Sequence, residues 1–175
     1  MYIPDLELCQ YHSGPFDAGN WSVPLRAVGW LEHPNKFPTG VTPTDLVPKL
    51  ATLVQQMRQA FSHYQCRGTK TCSLCEASGE TSPGPIWSQE NLFVPGSQEV
   101  FIAPGGIVHY VEAHSYLPPE SFIHAVLRCR NCETSDYLDA LRVANAGIKP
   151  PLVSCADFQA GINAAAAAIL GRRFK

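Results

Sequence analysis

Charge is scarce in this chain: Asp, Glu, Lys and Arg together make up 16% of its 175 residues, against the usual quarter, and the formal net charge is -2. No run of Lys or Arg occurs before the terminal "GRRFK", so the electrostatic footprint needed to grip a phosphate backbone is missing and nucleic-acid binding is set aside. Long apolar runs are missing too. The greasiest stretch, "AAAAAIL", falls well short of the eighteen or so residues that cross a bilayer, so no membrane span is expected. The start, "MYIPDLELCQYH", carries an Asp and a Glu where a signal peptide needs a basic segment followed by an apolar one. The expectation is a cytoplasmic protein, for which the "NWS" acceptor motif at 20–22 has no meaning. Gly-x-Ser-x-Gly is absent, and Gly105-Gly106 lacks the further glycines of a nucleotide loop, so neither a nucleophile elbow nor a phosphate cradle is indicated.

Apolar residues, at 45%, are plentiful enough for a core, and 175 residues fit one domain spanning 1–175. Fifteen prolines and thirteen glycines cut the chain into short pieces. Residues 1–22 read as an irregular arm. "PLRAVGWLE" reads as a strand with apolar residues on both faces, hence a central one. Leu46, Leu50, Leu53, Val54, Met57 and Phe61 recur at steps of three and four and predict an amphipathic helix, with Thr44 as cap and Pro48 tolerated in the first turn. "NLFVPGSQEVFIAPGG" predicts a hairpin with strands at 92–94 and 100–102 around Pro95-Gly96. Three short helices follow. The first runs from Ile107 to about His114, and the second follows "LPPE" and buries Phe122, Ile123, Val126 and Leu127. The third runs from a cap at Thr134 or Ser135 to Gly147, with Leu138, Leu141 and Val143 inward. A last helix is expected over 154–170, within a C-terminal segment 154–175. The fold class predicted is α+β: a small antiparallel sheet with packed helices and a zinc-knuckle loop.

Seven cysteines, an odd number, suit metal or thiol chemistry better than a disulfide framework in a reducing compartment. Three fall in "CRGTKTCSLC". Cys72 and Cys75 have the two-residue gap that turns both thiolates toward one ion, and a tetrahedral zinc then needs two more donors. Cys66, Cys72, Cys75 and His109 form one candidate set. Cys129 and Cys132, a second pair with the same gap, would complete a four-cysteine site instead, although the 53 intervening residues, 76–128, are many for a compact ribbon. Cys9 and Cys155 read as buried thiols.

"HYVEAHSY" contains His109, Glu112 and His114 and invites a metallohydrolase reading. Five helical residues at about 100° each set His114 about 140° from His109, so at most one of the two is expected to ligate a given ion. A redox role for Cys129 and Cys132 calls for a helix N-terminus, whereas "FIHAVLR" just before them looks like a helix end.

Taken together, "NWSVPLRAVGWLEH", "CRGTKTCSLC", "VPGSQEVFIAP" and "HYVEAHSYLPP", over about residues 20–145, resemble a group of small uncharacterised bacterial proteins. They share a Cys-x-x-Cys knuckle and a His-Tyr…His-x-Tyr-x-Pro-Pro block. The resemblance implies a shared metal-knuckle domain and names no activity. Its members often carry His at the position of Lys70 and often lack a cysteine at that of Cys132, which puts the local ligand set in question and favours Cys66 and His109 as the completing donors.

The expectation is therefore a structural zinc on Cys66, Cys72, Cys75 and His109 in a protein that acts by binding another protein, of immunity or adaptor type. No catalytic residue is assigned. The alternative is a zinc hydrolase or lyase with Glu112 or His114 as general base.

Overall fold

The computed structural model of the chain describes residues 1–9, 25–60, 71–80 and 91–144. The fold is α+β. In chain order the elements are β1 (Leu25–Ala27), α1 (Leu46–Ala60), α2 (Ser73–Ser78), β2 (Asn91–Pro95), β3 (Val100–Pro104), α3 (Ile107–His114), α4 (Glu120–Arg128) and α5 (Ser135–Ala144). The expected helix at 154–170 and Trp21 lie outside the described residues, as does Phe61.

The sheet is mixed, with strand order β1-β3-β2. The hairpin is antiparallel as expected, pairing Phe93 with Ile102, and the Gly96 N–H donates to the Glu99 carbonyl at 2.9 Å to close its turn. β1 corrects the expectation of an antiparallel sheet, because it runs parallel to β3, pairing Arg26 with Phe101. A parallel neighbour needs a long crossover, and the chain supplies one through α1, α2 and β2. β3, not β1, is the middle strand. The free side of β1 is nevertheless engaged: the Cys9 N–H donates to Leu25 and the Ala27 N–H to Glu7, so the arm at residues 6–9 covers that edge. This explains why β1 carries apolar residues on both faces.

α1 buries Leu46, Leu50, Leu53, Val54 and Met57, the stripe that its periodicity predicts, and packs on β2, α3 and α4. Phe101 and Phe122 meet edge to face at 5.6 Å where α4 crosses the sheet. Two helix readings need correction. Leu127 is exposed at the rim of α4, and α5 turns Tyr137, Leu141 and Ala144 inward while Val143 faces water. Tyr137 escapes a purely apolar pattern because its hydroxyl is polar; buried, it donates to the Phe93 carbonyl at 2.7 Å, which offsets the desolvation.

α3 is held at both ends. At its start Gly29 has φ +73°, and a Cβ there would lie 2.8 Å from the Ile107 side chain, so only glycine permits this approach. At its end Ser115 adopts φ 51°, and the chain returns along residues 38–40: the Leu117 N–H donates to Pro38 and the Gly40 N–H to Ser115, both at 2.9 Å. Tyr116, buried, donates through its hydroxyl to Asp5 Oδ1 at 2.7 Å, which also accepts the Gly29 N–H at 3.0 Å. These contacts fix the helix that carries His109 and His114.

Candidate metal centre

Cys72 stands at the N-cap of α2 and Cys75 in its first turn, three residues apart and so on one face. α2 is only six residues long. Gly79, at φ +73°, ends it, and the Glu80 N–H bonds back to the Cys75 carbonyl at 3.0 Å. The Ser73 hydroxyl accepts the His33 N–H at 3.1 Å, tethering the start of α2 to the loop after β1. Cys75 is the one buried residue of this helix, so its attachment to the fold depends on the cysteines rather than on apolar area.

Opposite the thiols stand two imidazoles. Cys72 Sγ lies 3.2 Å from His114 Nε2, and Cys75 Sγ lies 3.4 Å from both His109 Nε2 and His114 Nε2. All four donor atoms fall within 4.8 Å of one another. Zinc bonds of about 2.3 Å to sulfur and about 2.0–2.1 Å to nitrogen give a tetrahedron with edges of about 3.4–3.8 Å, so the spacing suits a single ion. Cys72, Cys75, His109 and His114 form a cluster that can bind a metal ion.

The electrostatics favour a cation. Burial pushes the Cys75 thiol up to about 11, and the adjacent Cys72 sulfur, Glu80 and Glu76 push the same way. A divalent ion reverses that penalty by pairing with the thiolates. His109 is held below its ordinary value of 6.5, first by burial and then by His114, against the opposing pull of Glu112 and Glu80. Its neutral form, the one a metal requires, therefore prevails at neutral pH. Glu80 acts on both ligating elements.

Cys72, Cys75 and His109 come together as the sequence suggests, while Cys66 lies outside the described residues. His114 corrects the sequence reading. The helical angle separates Cα–Cβ directions, not ring nitrogens. His114 is the last residue of α3, where side chains lean back toward the N-terminus, and both rings meet the sulfurs with their distal Nε2 atoms. The rings pack edge to face, their centroids 5.0 Å apart. The signal available was the proximity of a second histidine to the first; regular helix geometry argued it away.

Cys129 and Cys132 are not part of this cluster, so the four-cysteine alternative fails among the described residues. Both are buried near α1, where the Cys132 N–H donates to Gln56 Oε1 at 3.1 Å. Glu112 is exposed on α3. No helix among the described residues is long and apolar enough to cross a membrane.

No curated protein and no solved structure matches the chain. A family model described as a domain of unknown function, DUF7919, matches residues 1–127, a span that holds β1 through α3, most of α4 and all four donors of the cluster. With well over half its length matched, the chain belongs to the DUF7919 family.

Proposed function

We propose that Cys72, Cys75, His109 and His114 hold one structural zinc ion, and that the protein acts by binding another protein, in the manner of an immunity or adaptor protein. The observation that carries the first part is the donor set: two sulfurs and two imidazole nitrogens lie within 4.8 Å of one another, the four donors that a closed tetrahedral site needs. Thiolate and imidazole together suit zinc over the harder cations. A six-residue helix has no independent stability, and α2 has little apolar surface to hold it, so the ion clamps residues 71–80 onto α3.

The binding role is supported by the N-terminal segment. Met1, Tyr2, Leu6 and Leu8 are exposed within residues 1–9, more large apolar side chains than any comparable described stretch leaves in water. The same segment is bonded along β1, which offers a partner an ordered apolar strip.

The hydrolase or lyase alternative requires three protein ligands and an exchangeable water. On the proposed donor set His114 is a ligand, so it is lost as the base and only Glu112 remains. Loss of turnover in a Glu112→Gln variant that keeps its metal would restore that reading.

Metal content per chain, measured on protein purified without chelator, tests the clamp: about one zinc is expected. Affinity purification from native expression tests the partner, which should be lost when Tyr2, Leu6 and Leu8 are replaced by serine. Absence of zinc refutes the clamp, and absence of any captured protein refutes the binding role.

A further inference from the structure

The metal cluster leaves Cys129 and Cys132 without a task. Cys129 caps the C-terminus of α4 with an extended backbone, φ -61° and ψ 133°, and Cys132 follows in a turn closed on Asn131, whose carbonyl accepts the Thr134 N–H and whose Oδ1 accepts the Glu133 N–H. The bond from Cys132 N–H to Gln56 ties that turn to α1. Each thiol shifts the titration of the other. Their outlooks differ. Cys129 lines a cleft of about 810 Å³, a volume within the range of small-ligand sites, whereas Cys132 lies behind it beside Tyr137.

We propose that Cys129 and Cys132 form a redox-active dithiol that reduces low-molecular-weight peptide disulfides entering this cleft, with Cys129 as the attacking thiol and Cys132 as the resolving one. The walls suit such a substrate. Arg128 and Arg130 can receive carboxylates, while Asp136 can receive an ammonium group, and the chemistry of a peptide disulfide supplies both.

The division of labour follows from the surroundings. The neighbouring Cys132 thiol, aided by the charge of Lys49, holds the Cys129 thiol below its ordinary value in spite of its burial and of its place at a helix C-terminus, which disfavours an anion. The Cys132 thiol is held up by Cys129 and by burial, so it keeps its proton until needed. In the first step the Cys129 thiolate attacks one sulfur of the disulfide; the S–S bond breaks, one half leaves as a thiolate and the other stays in a mixed disulfide on Cys129. The departing thiolate takes a proton from Cys132. The Cys132 thiolate then attacks Cys129 Sγ, forms the Cys129–Cys132 disulfide and expels the second half, which takes a proton from water. Two electrons pass from the dithiol to the substrate, which leaves as two thiols.

The probe is glutathione disulfide, offered to the full-length, metal-loaded chain, followed by peptide mapping in a mass spectrometer without reduction. The expected product is a disulfide joining Cys129 to Cys132, reversed by dithiothreitol, with Cys72 and Cys75 unmodified. Cys132→Ser should stop at a glutathione adduct on Cys129, and Cys129→Ser should give neither product. Cys9 provides a control needing no variant, because at 5% exposure it is as buried as Cys129 at 6%. Iodoacetamide should label Cys129 about tenfold faster than Cys9 in the native protein. No Cys129–Cys132 disulfide in the wild-type map, or equal labelling of Cys129 and Cys9, overturns the proposal.

Discussion

Cys72 and Cys75 are 0% and 3% exposed; Cys129 and Cys132 are 6% and 2% exposed. The two pairs thus share a spacing and a degree of burial, and differ in what the fold sets against them. The first faces two imidazoles carried by α3 and a rim of carboxylates; the second faces mainly itself, the Tyr137 hydroxyl and a cleft. Two adjacent thiols are raw material for either metal binding or redox chemistry. The outcome depends on whether a second element brings nitrogen donors within about 3–4 Å of both sulfurs, and α3 does so for the first pair alone.

The sharpest way to break this comparison is to remove one thiol from each pair. Cys75→Ser should lose nearly all bound zinc and lower the thermal midpoint. Cys132→Ser should keep its zinc and cost about 1–3 kcal/mol, the penalty of a buried hydroxyl without a strong partner. Elemental analysis and thermal unfolding of both variants decide it; zinc lost from Cys132→Ser would erase the distinction.

Gly29→Ala tests the same contrast through the backbone. The new Cβ must push Ile107, the first residue of the helix that carries both imidazoles, and the left-handed backbone adds strain. A destabilisation of about 2–4 kcal/mol is expected, with weakened zinc affinity and an unchanged labelling rate at Cys129. Denaturant titration, zinc titration and timed alkylation provide the three readings. Stability equal to wild type would show that α3 does not depend on this approach.

Acid should act on the first pair before the second. His109 is held below 6.5 in the fold, so its neutral form stabilises the folded chain. That contribution is fully present above 6.5 and is lost as pH falls through the lowered value. Zinc retention and thermal midpoint should both decline over that range. In metal-free protein a His109→Phe variant, which cannot titrate there, should have a flatter profile; an identical slope would assign the acid response to another group.

The smallest expected effect concerns the support of α3. Burial raises the Asp5 carboxyl above its ordinary 3.8, despite hydrogen bonds from the Gly29 N–H and the Tyr116 hydroxyl. Its stabilising contribution is therefore fully present below 3.8 and lost as pH rises through the folded value. Asp5→Asn keeps an acceptor oxygen for both donors and removes the charge, so a gain of about 1 kcal/mol or less is expected at pH 7. A clear loss of stability would mean that the ionised carboxylate is the form the fold prefers.

Much of the fold was legible because it is local. The stripe from Leu46 to Met57, the Pro95-Gly96 turn between apolar runs and the prolines before Glu120 each act over a few residues, and each element appears where its pattern lies. Tyr137 and Val143 were misjudged because apolar periodicity does not reveal that a tyrosine hydroxyl will find a carbonyl on β2. The parallel partner of β1 was illegible for a different reason: strand direction is set by the path of the intervening chain, not by the strand's own residues.

The sequence by itself determined that Cys72 and Cys75 would turn toward one point, since a two-residue gap lets both thiols face the same way, and that His109 and His114 would share one short helix. Only the tertiary structure decided that both histidines meet the Cys72–Cys75 pair while Cys129 and Cys132 stay apart. That decision belongs to the anchors at the two ends of α3, the Gly29–Ile107 approach and the bonds around Ser115, Tyr116 and Leu117. They join residues far apart in the chain, and a contact of that kind is settled by packing, in which every element constrains the rest, rather than by the spacing of residues along the chain.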